Sequence, residues 1–563
     1  MRKALERPVG RTRRDFFTQA SLAVAAGPTG AAAARPPRTA SFLEIVRPPS
    51  QVTAYAGLEH ALMLERVGLT WHGKGIAVAT EPEATELPVE VSAPGLDVTH
   101  LHLRWRVTSP RTLACLGDAW ERSYGDLGWR GMTPERVMPW YFCTYDGQAV
   151  HGYGVKTGAA ALCFWQLDPE GVSLWLDLRN GGSGVQLGDR PLRAASVVSR
   201  RGSGAEHPVA AVRQLCRTLC RAPRFTGAVY GSNDWYYAYG HNSAVQTLRD
   251  ADLVAELAPS AGPRPFVVID AGWSDHSPTF PDMGELAAGV RHKGARPGIW
   301  VRPLEAPRGA TASMLLPGRR FGGRRERAAE LAYDPTIPEA LAAVLDKMRE
   351  VRAWGYDLVK HDFSTYDLLG QWGFEMGAQP SLPGWTFHDR SRTNAEIILN
   401  LYQALRATAG DTAVLIGCNT VGHLSAGLFD VHRIGDDTSG RRWERTRRMG
   451  VNTLAYRLPQ HGAFFAVDPD CIGITADVPW ELNRQWLDLV ARSGAALFVS
   501  PGAIGAEQRR AMRAAFAVAA SGRAGGEPVD WFHETTPERW RFQGSGETAY
   551  AWCSADGAYP FTV

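Results

Sequence analysis

Two short runs of this sequence each combine a carboxylate with a nearby cation. The first is Leu358-Val359-Lys360-His361-Asp362, and the second is Arg433-Ile434-Gly435-Asp436-Asp437. Lys360 and Asp362 are two residues apart in an apolar strand pattern, so their side chains should point to the same side. A neighbouring ammonium group favours the ionised form of a carboxylate, which suits a nucleophile. A second carboxylate across the same pocket could act as acid and base, and such a pair is typical of glycoside hydrolysis.

Three further strand patterns end in polar or aromatic residues. They are Val268-Ile269-Asp270-Ala271-Gly272-Trp273, Gly298-Ile299-Trp300-Val301-Arg302 and Ile416-Gly417-Cys418-Asn419. A single aspartate at a strand end is as often a helix cap or a structural ion pair as a functional group. Five charged or polar strand ends around one sheet indicate an enzyme with an acidic site. The pattern alone specifies no more than that.

The strand patterns alternate with amphipathic helical stretches over residues 225–520, which predicts a (β/α)8 TIM barrel. In such a barrel the active site lies at the carboxyl ends of the strands. Residues 41–222 alternate in short β patterns and predict an N-terminal β-sandwich, and residues 525–563 predict a short C-terminal β segment. The eight barrel strands are expected at Gly227–Ser232, Pro265–Asp270, Arg296–Arg302, Tyr356–Asp362, Thr412–Cys418, Leu428–Ile434, Val451–Ala455 and Ala495–Ser500.

Residues 1–34 are expected to be a twin-arginine export signal rather than part of the fold. Arg13-Arg14 precedes a short apolar run and an alanine-rich stretch that ends at Ala34. The segment has six basic and two acidic residues, so the formal charge of +3 becomes −1 without it. A near-neutral mature protein gives no reason to expect nucleic acid as a partner. We therefore expect a periplasmic or extracellular protein without a membrane span, and a homo-oligomer is left open.

Neither the cysteines nor the histidines suggest a cofactor or a metal. The eight cysteines are scattered and form no CxxC pair, so neither a zinc module nor a disulfide scaffold is indicated. Aspartate and histidine near the strand ends fit sugar contacts better than a metal ligand set. We expect no cofactor and no metal.

The runs that end at Asp362, Asp437 and Trp273 together resemble the α-galactosidase clan of retaining glycoside hydrolases, families 36 and 27. The resemblance extends over the barrel and the β domain before it, and it is strongest to the long bacterial members with an N-terminal β-sandwich. It implies that Asp362 is the nucleophile and that Asp437, four residues after Arg433, is the acid/base. Asp436 is a competing candidate for the acid/base.

The resemblance also implies a set of substrate-binding residues and an oligosaccharide or glycoconjugate substrate. Ala271 stands where many members have a second aspartate, and His361 replaces an aromatic residue, so the sugar is less certain than the reaction type. Transglycosylation, hydrolysis of a related sugar such as an arabinopyranoside, and non-catalytic carbohydrate binding are the alternatives. The substrate-binding residues expected are Trp235, Asp270, Trp273, Trp300, Arg302, Lys360, Cys418, Asn419 and Arg433.

Overall fold

The computed structural model describes residues 42–225, 227–273, 278–324, 327, 330–555 and 557–559. The expected export signal, residues 1–34, lies outside the described residues, and export stays a prediction. Among the helices that are described, none combines the length and the apolar character needed to cross a membrane.

The N-terminal part of the chain consists of antiparallel strands. In the strand His100–Arg106, Leu101, Leu103 and Trp105 alternate with less buried residues, as expected for a strand with one face in a core. The fifteen strands are β1 Gln51–Tyr55, β2 Ala61–Met63, β3 Glu65–Val67, β4 Thr70–Gly73, β5 Ile76–Ala79, β6 Leu87–Ala93, β7 His100–Arg106, β8 Ala114–Gly117, β9 Arg130–Gly131, β10 Met138–Pro139, β11 Tyr141–Tyr145, β12 Val150–Val155, β13 Leu162–Asp168, β14 Gly171–Asp177 and β15 Gly188–Arg200.

These strands form two antiparallel sheets. The six-stranded sheet has the order β10-β13-β14-β7-β1-β2, and the nine-stranded sheet has the order β3-β4-β5-β6-β15-β12-β11-β8-β9. The inward-facing residues of both sheets belong to one continuous hydrophobic core. Helix α1, Pro208–Leu219, follows the sheets and buries Val212, Leu215 and Leu219.

The following part of the chain forms a nine-stranded parallel sheet that curls. Its order is β22-β21-β20-β19-β18-β17-β16-β24-β23. A separate hydrophobic cluster with Phe266, Val268, Leu358 and Phe498 belongs to this sheet. The strands are β16 Tyr230–Asn233, β17 Phe266–Ile269, β18 Arg296–Val301, β19 Leu358–His361, β20 Val414–Gly417, β21 Val431–Arg433, β22 Ala466–Asp468, β23 Ile472–Ile474 and β24 Leu497–Pro501.

Seven of the eight expected parallel strands overlap strands of this sheet, and one expectation is wrong. Val451–Ala455 is helical: a π-helical turn, Arg447–Asn452, continues into the helix Thr453–Arg457. Every residue of Val451–Ala455 is buried, and a short apolar run does not distinguish a buried helix from a buried strand. The strand in this position is Ala466–Asp468, whose three residues give too short a pattern to stand out.

Helices follow most of the parallel strands. Helix α8, Asn394–Ala409, for example, begins where Thr393 and Glu396 form a reciprocal capping box, and it ends before Gly410, which has a φ of 76°. The other helices are α2 Trp235–Ala238, α3 Ala244–Leu257, α4 Met283–His292, α5 Pro338–Ala353, α6 Ser364–Leu369, α7 Gly373–Met376, α9 Gly422–Ser425, α10 Trp443–Thr446, α11 Thr453–Arg457, α12 Trp480–Ser493 and α13 Ala506–Ala520.

A three-stranded antiparallel sheet follows helix α13. Its strands are β25 Gly526–Pro528, β26 Arg539–Phe542 and β27 Gly546–Ala549. Trp540 and Trp552 are fully buried, and the indole of Trp443 in α10 donates a hydrogen bond to the carbonyl of Trp552 at 2.7 Å. The segment that follows β27 therefore packs against helix α10 at Trp552.

The N-terminal sheets and the parallel sheet are joined by buried ion pairs. Arg457 Nε lies 2.9 Å from Asp118 Oδ1, and both side chains are 2–3% exposed. Gln460 Nε2 also donates to Asp118, at 3.0 Å. One residue of the pair follows strand β8 and the other ends helix α11, so the pair spans the two parts.

Arg457→Met should lower the free energy of unfolding by about 3 kcal/mol, because it leaves the Asp118 carboxylate buried without its cation. Urea unfolding followed by tryptophan fluorescence measures this change. The matched control is Arg349→Met, which removes an arginine paired with Asp346 while both side chains are more than half exposed. That change should cost less than about 1 kcal/mol. Equal losses in the two variants would contradict the role of the buried pair.

Candidate active site

A cavity of about 260 Å³ lies at the carboxyl ends of the parallel strands. Residues at or just after the ends of β16, β17, β18, β19, β21 and β22 line it. Both candidate catalytic carboxylates, Asp362 and Asp437, are in its wall. The lining residues are Asn233, Trp235, Tyr236, Asp270, Ala271, Gly272, Trp300, Arg302, Glu305, Lys360, Asp362, Phe363, Arg433, Asp437 and Asp470.

Asp362 is held by hydrogen bonds to both of its carboxylate oxygens. The indole of Trp300 donates to Oδ2 at 3.0 Å, and the backbone N–H of Phe363 donates to Oδ1 at 2.7 Å. Phe363 has a φ of 68°, a left-handed conformation that is strained for an aromatic residue. The Asp362 side chain therefore has a fixed orientation as an acceptor at the cavity wall.

Lys360 and Asp270 form an ion pair on the same wall. Lys360 Nζ lies 2.6 Å from Asp270 Oδ2, and Asn233 Nδ2 donates to the same oxygen at 2.7 Å. Behind them, Asp234 accepts the backbone N–H of Asp270 at 2.8 Å. Burial, reinforced by the Asp270 charge, raises the pKa of Asp234 to about 7. The pair leaves a cation and a carboxylate side by side, an arrangement that can donate to and accept from neighbouring hydroxyl groups.

Arg433 connects Asp437 to a second carboxylate. Its Nη2 lies 3.1 Å from Asp437 Oδ1, and its Nη1 lies 3.0 Å from Asp470 Oδ1. Asp470 also accepts the backbone N–H and the hydroxyl of Thr438 and the hydroxyl of Tyr236. Arg433 is therefore fixed from both sides and holds Asp437 at the cavity.

The Asp437 carboxylate is surrounded by positive charge. Burial would raise its pKa, but Arg433, Arg122 and Lys360 outweigh burial and lower the pKa to about 2. The Asp437 side chain is nevertheless 42% exposed, towards the cavity. In the ligand-free protein these cations therefore stabilise the anionic form of Asp437.

Arg122 reaches the site from the N-terminal sheets. It follows strand β8 and lies 3.2 Å from Asp437 Oδ1 and 3.3 Å from Asp436 Oδ1. Asp436 is also paired with Arg445 at 2.7 Å and is not among the residues that line the cavity. The geometry thus favours Asp437 over Asp436 as the carboxylate that a ligand would meet.

The guanidinium of Arg302 is engaged by carboxylates. It contacts Asp367 at 2.6 and 3.0 Å and Glu330 at 2.7 Å, and Glu305 lies 3.9 Å away. Arg302 also stacks over the ring of Phe363. It lines the cavity, but its hydrogen-bonding capacity is directed mainly at these partners.

The structure brings eight of the eleven predicted site residues to the cavity and leaves three outside its wall. Trp273 donates its indole N–H to the Trp300 carbonyl at 2.8 Å and so supports that residue from behind. Cys418 is buried behind Arg433, 3.8 Å from Nη1. Asn419 donates to the buried carboxylate of Glu121 at 2.6 Å, so its amide joins the parallel sheet to the N-terminal part.

Several residues at the site were not predicted from the sequence. Asn233 ends strand β16, and Asp470 follows β22. A search for polar residues at strand ends could have found Asn233. Asp470 follows the strand that was assigned to the wrong segment, and Tyr236 binds to it. Arg122 is separated from Asp437 by 315 positions, and no local pattern marks it. Phe363 and Glu305 also line the cavity.

Comparison with known proteins shows structural relatives but no matching family model. The α-galactosidase TtGalA of Thermus thermophilus, bound to p-nitrophenyl α-D-galactopyranoside, aligns with a TM-score of 0.58 and 19% identity over 84% of this chain and 97% of its own. The family 36 α-galactosidase AgaA of Geobacillus stearothermophilus aligns with a TM-score of 0.55 and 12% identity over 84% and 71%. This chain has the fold of the family 36 α-galactosidases. The motif resemblance is confirmed at the level of fold.

The related structures include carbohydrate complexes. AgaA variants have been solved with raffinose and with stachyose, and TtGalA also with stachyose. AgaB of the same Geobacillus species aligns with a TM-score of 0.52 and 13% identity over 80% of this chain and 68% of its own. The shared architecture thus extends across several such enzymes at low sequence identity.

Asn419→Gly should lower the free energy of unfolding by about 2 kcal/mol, because the buried Glu121 carboxylate loses an amide donor. Glycine tolerates the φ of 48° at this position, so the change adds no backbone strain. It removes the amide that donates to Glu121 and whose oxygen accepts the Tyr366 N–H at 3.4 Å. Lys74→Gly is the matched control, since exposed Lys74 has a φ of 47°. Chemical denaturation should show the control unchanged or slightly more stable. A stable Asn419→Gly protein would contradict the structural role.

Proposed function

We propose that this protein is a retaining α-glycoside hydrolase that acts on α-galactosides or closely related sugars. The observation that carries the proposal is that Asp362 and Asp437 line one small cavity at the strand ends of a family 36 α-galactosidase fold. Their environments differ in a way that suits two roles. Asp362 is held by two hydrogen-bond donors, whereas Asp437 is exposed to the cavity and surrounded by cations.

In the first step, an Asp362 oxygen attacks the anomeric carbon and forms a covalent glycosyl-enzyme. The bond from the anomeric carbon to the leaving oxygen breaks, and that oxygen takes a proton from Asp437. Trp300 and the Phe363 N–H keep the attacking carboxylate oriented as its charge is consumed. The proton on Asp437 has to be acquired on substrate binding or from acidic medium, since the surrounding cations favour its anion.

In the second step, Asp437 accepts a proton from water while the water oxygen attacks the anomeric carbon. The bond to Asp362 breaks, and the sugar leaves with its original anomeric configuration. The lowered pKa of Asp437 reflects how strongly its cationic neighbours stabilise the anionic form needed at the start of this step. Arg433 keeps the carboxylate in place through both steps.

In this proposal the Lys360–Asp270 pair and Arg433 bind the sugar hydroxyl groups, and Trp235 contributes an apolar wall. Ala271 lines the same cavity without a polar side chain. A sugar that needs a second carboxylate at this position would lose a partner there, which can change discrimination between sugars strongly. The sugar could therefore be a galactoside or a relative such as an arabinopyranoside.

We also propose that the curled sheet closes into a (β/α)8 barrel. Strands β22 and β23 together take the place of one bent seventh strand: β22 pairs with β21, and β23 pairs with β24. The Ala496 N–H donates to the Val467 carbonyl at 2.9 Å, so a backbone hydrogen bond joins the end strand β22 to the residue just before β24. Eight strands arranged in this way would gather Asn233, Asp362 and Asp437 at one mouth.

Asp362→Asn should abolish turnover of an α-galactoside, because the amide is a poor nucleophile. Asp437→Asn should lower kcat/KM by about 10²–10⁴-fold for an unactivated leaving group and by less for p-nitrophenyl α-galactoside. The measurement is turnover of a panel of aryl α- and β-glycosides, with proton NMR of the first-formed product anomer.

Asp436→Asn is the control for the second carboxylate and should keep far more activity than Asp437→Asn. Full activity of the Asp362→Asn variant would contradict the assignment of Asp362 as the nucleophile. Release of the inverted anomer would exclude the covalent intermediate. Sugar binding without turnover of any glycoside would instead favour a carbohydrate-binding protein.

A further inference from the structure

We propose that Arg122, in the connection between β8 and β9, is a positioning residue for Asp437 that fixes the direction of this carboxylate and stabilises its anionic form. The inference rests on the proposed glycosidase function and extends it. It makes the N-terminal part of the chain a working component of the active site. It also assigns a role in the balance between the two half-reactions to a residue outside the parallel sheet.

The Arg122 guanidinium bridges two consecutive carboxylates. Nη1 lies 3.2 Å from Asp437 Oδ1, and Nη2 lies 3.3 Å from Asp436 Oδ1, while the side chain is only 6% exposed. A planar fork can hold two acceptors at fixed separation, which a lysine ammonium cannot do equally well. Arg122 therefore fixes the direction of Asp437 as well as its charge.

The backbone around Arg122 is locked to the end of strand β21. The Ser123 N–H donates to the Ile434 carbonyl at 2.9 Å, and the Asp436 N–H donates to the Ser123 carbonyl at 2.8 Å. These two bonds extend the parallel pairing by one bridge between Ser123 and Gly435. The position of Arg122 relative to Asp437 is thus set by backbone geometry.

The residue before Arg122 is anchored as well. The Glu121 carboxylate accepts the Asn419 amide at 2.6 Å and the Gly373 N–H at 2.8 Å. The Glu121 carbonyl accepts from Arg457 at 2.5 Å. Asn419 after β20, Gly373 in α7 and Arg457 in α11 therefore hold this segment from several directions. A rigid support of this kind is what a positioning residue needs.

The charges around Asp437 come from several elements. Arg433 lies on its own segment, Lys360 on β19 and Arg122 on the N-terminal segment, and these three cations favour the anion. The acidic or titratable groups that share these cations or face the same cluster are Tyr124, Tyr236, Asp270, Asp362, Cys418, Asp436 and Asp470. Lys360 and Arg433 already serve Asp270 and Asp470, whereas Arg122 is directed at the Asp436–Asp437 pair.

The expected consequence follows from the sign of the charge. Removing the Arg122 cation raises the pKa of Asp437, so the protonated acid persists to higher pH. When the leaving group needs a proton, the loss of this protonated acid sets the alkaline limb of the pH profile of kcat/KM. The anion, which is needed for the second step, is then less favoured and less well oriented.

The test uses Arg122→Gln with two substrates, raffinose and p-nitrophenyl α-galactoside. The alkaline limb of kcat/KM for raffinose should move up by about one pH unit, since an opposite charge within hydrogen-bond distance shifts a carboxyl by about that much or more. The limb for the aryl substrate should move less, because its leaving group needs little protonation. The kcat for the aryl substrate should fall several-fold, because it includes the second step.

Two matched variants accompany the test. Arg445→Gln removes the other cation paired with Asp436 and should move the raffinose limb much less. Arg122→Lys keeps the charge but not the fork, so its limb should stay near the parent position while kcat falls. Circular dichroism and thermal unfolding show whether each variant is folded. If Arg122→Gln does not fold, the comparison of Arg122→Lys with the parent decides through kcat.

The outcomes separate the two proposals. If the unmodified protein turns over neither substrate, the glycosidase proposal fails. If it turns over both and the Arg122→Gln limb coincides with that of the parent or of Arg445→Gln, the role of Arg122 is overturned. An unchanged kcat in Arg122→Lys would likewise exclude a positioning role.

Discussion

Compensation of negative charge at the carboxyl ends of the parallel strands is the constraint on which the site depends. Several aspartates are buried there, and a buried carboxylate is costly unless it is paired and hydrogen-bonded. Lys360 forms an ion pair with Asp270, and Arg433 bridges Asp437 and Asp470. Arg433 is itself only 2% exposed, and Lys360 is 12% exposed. The site is therefore a network in which the loss of one member would leave another uncompensated.

This constraint explains the close fit between the N-terminal sheets and the parallel sheet. Two carboxylates in sequence, Asp436 and Asp437, require more positive charge than Arg433 can provide while it also holds Asp470. Arg122 supplies part of it across a backbone bridge, and Arg445 supplies the rest. The buried Asp118–Arg457 pair secures the same junction nearby. The N-terminal part thus completes the electrostatics of the cavity.

Local sequence patterns were sufficient to predict most strands of the parallel sheet and the polar residues at the ends of these strands. Apolar runs followed by Asp270, Lys360 or Arg433 are short-range signals, and their side chains do line the cavity. The helix at Val451–Ala455 was misassigned because an element buried on all sides has no polar face to reveal its period. That error also hid the strand before Asp470.

Partners that come from distant positions could not be inferred in the same way. Arg122 is one of many arginines, and its sequence neighbourhood gives no sign that it meets Asp437. Asn419 was correctly placed at a strand end, yet its amide turns to Glu121 rather than to the cavity. A strand-end position fixes where the backbone lies. The direction of the side chain depends on which charged groups from distant parts of the sequence lie close to it in the fold.

Backbone strain at the strand ends follows from the same network. Phe363, Asn419 and Asp470 all have positive φ values, between 48° and 81°, and each follows or lies near a parallel strand end. Glycine would relieve this strain, but it would remove a side chain that makes a contact. The ring of Phe363 packs against Trp300, the Asn419 amide donates to Glu121, and the Asp470 carboxylate pairs with Arg433. Such conformations persist only where the surroundings over-determine them. The ion pair of Asp470 with Arg433 and the contact of Asn419 with Glu121 provide that rigidity.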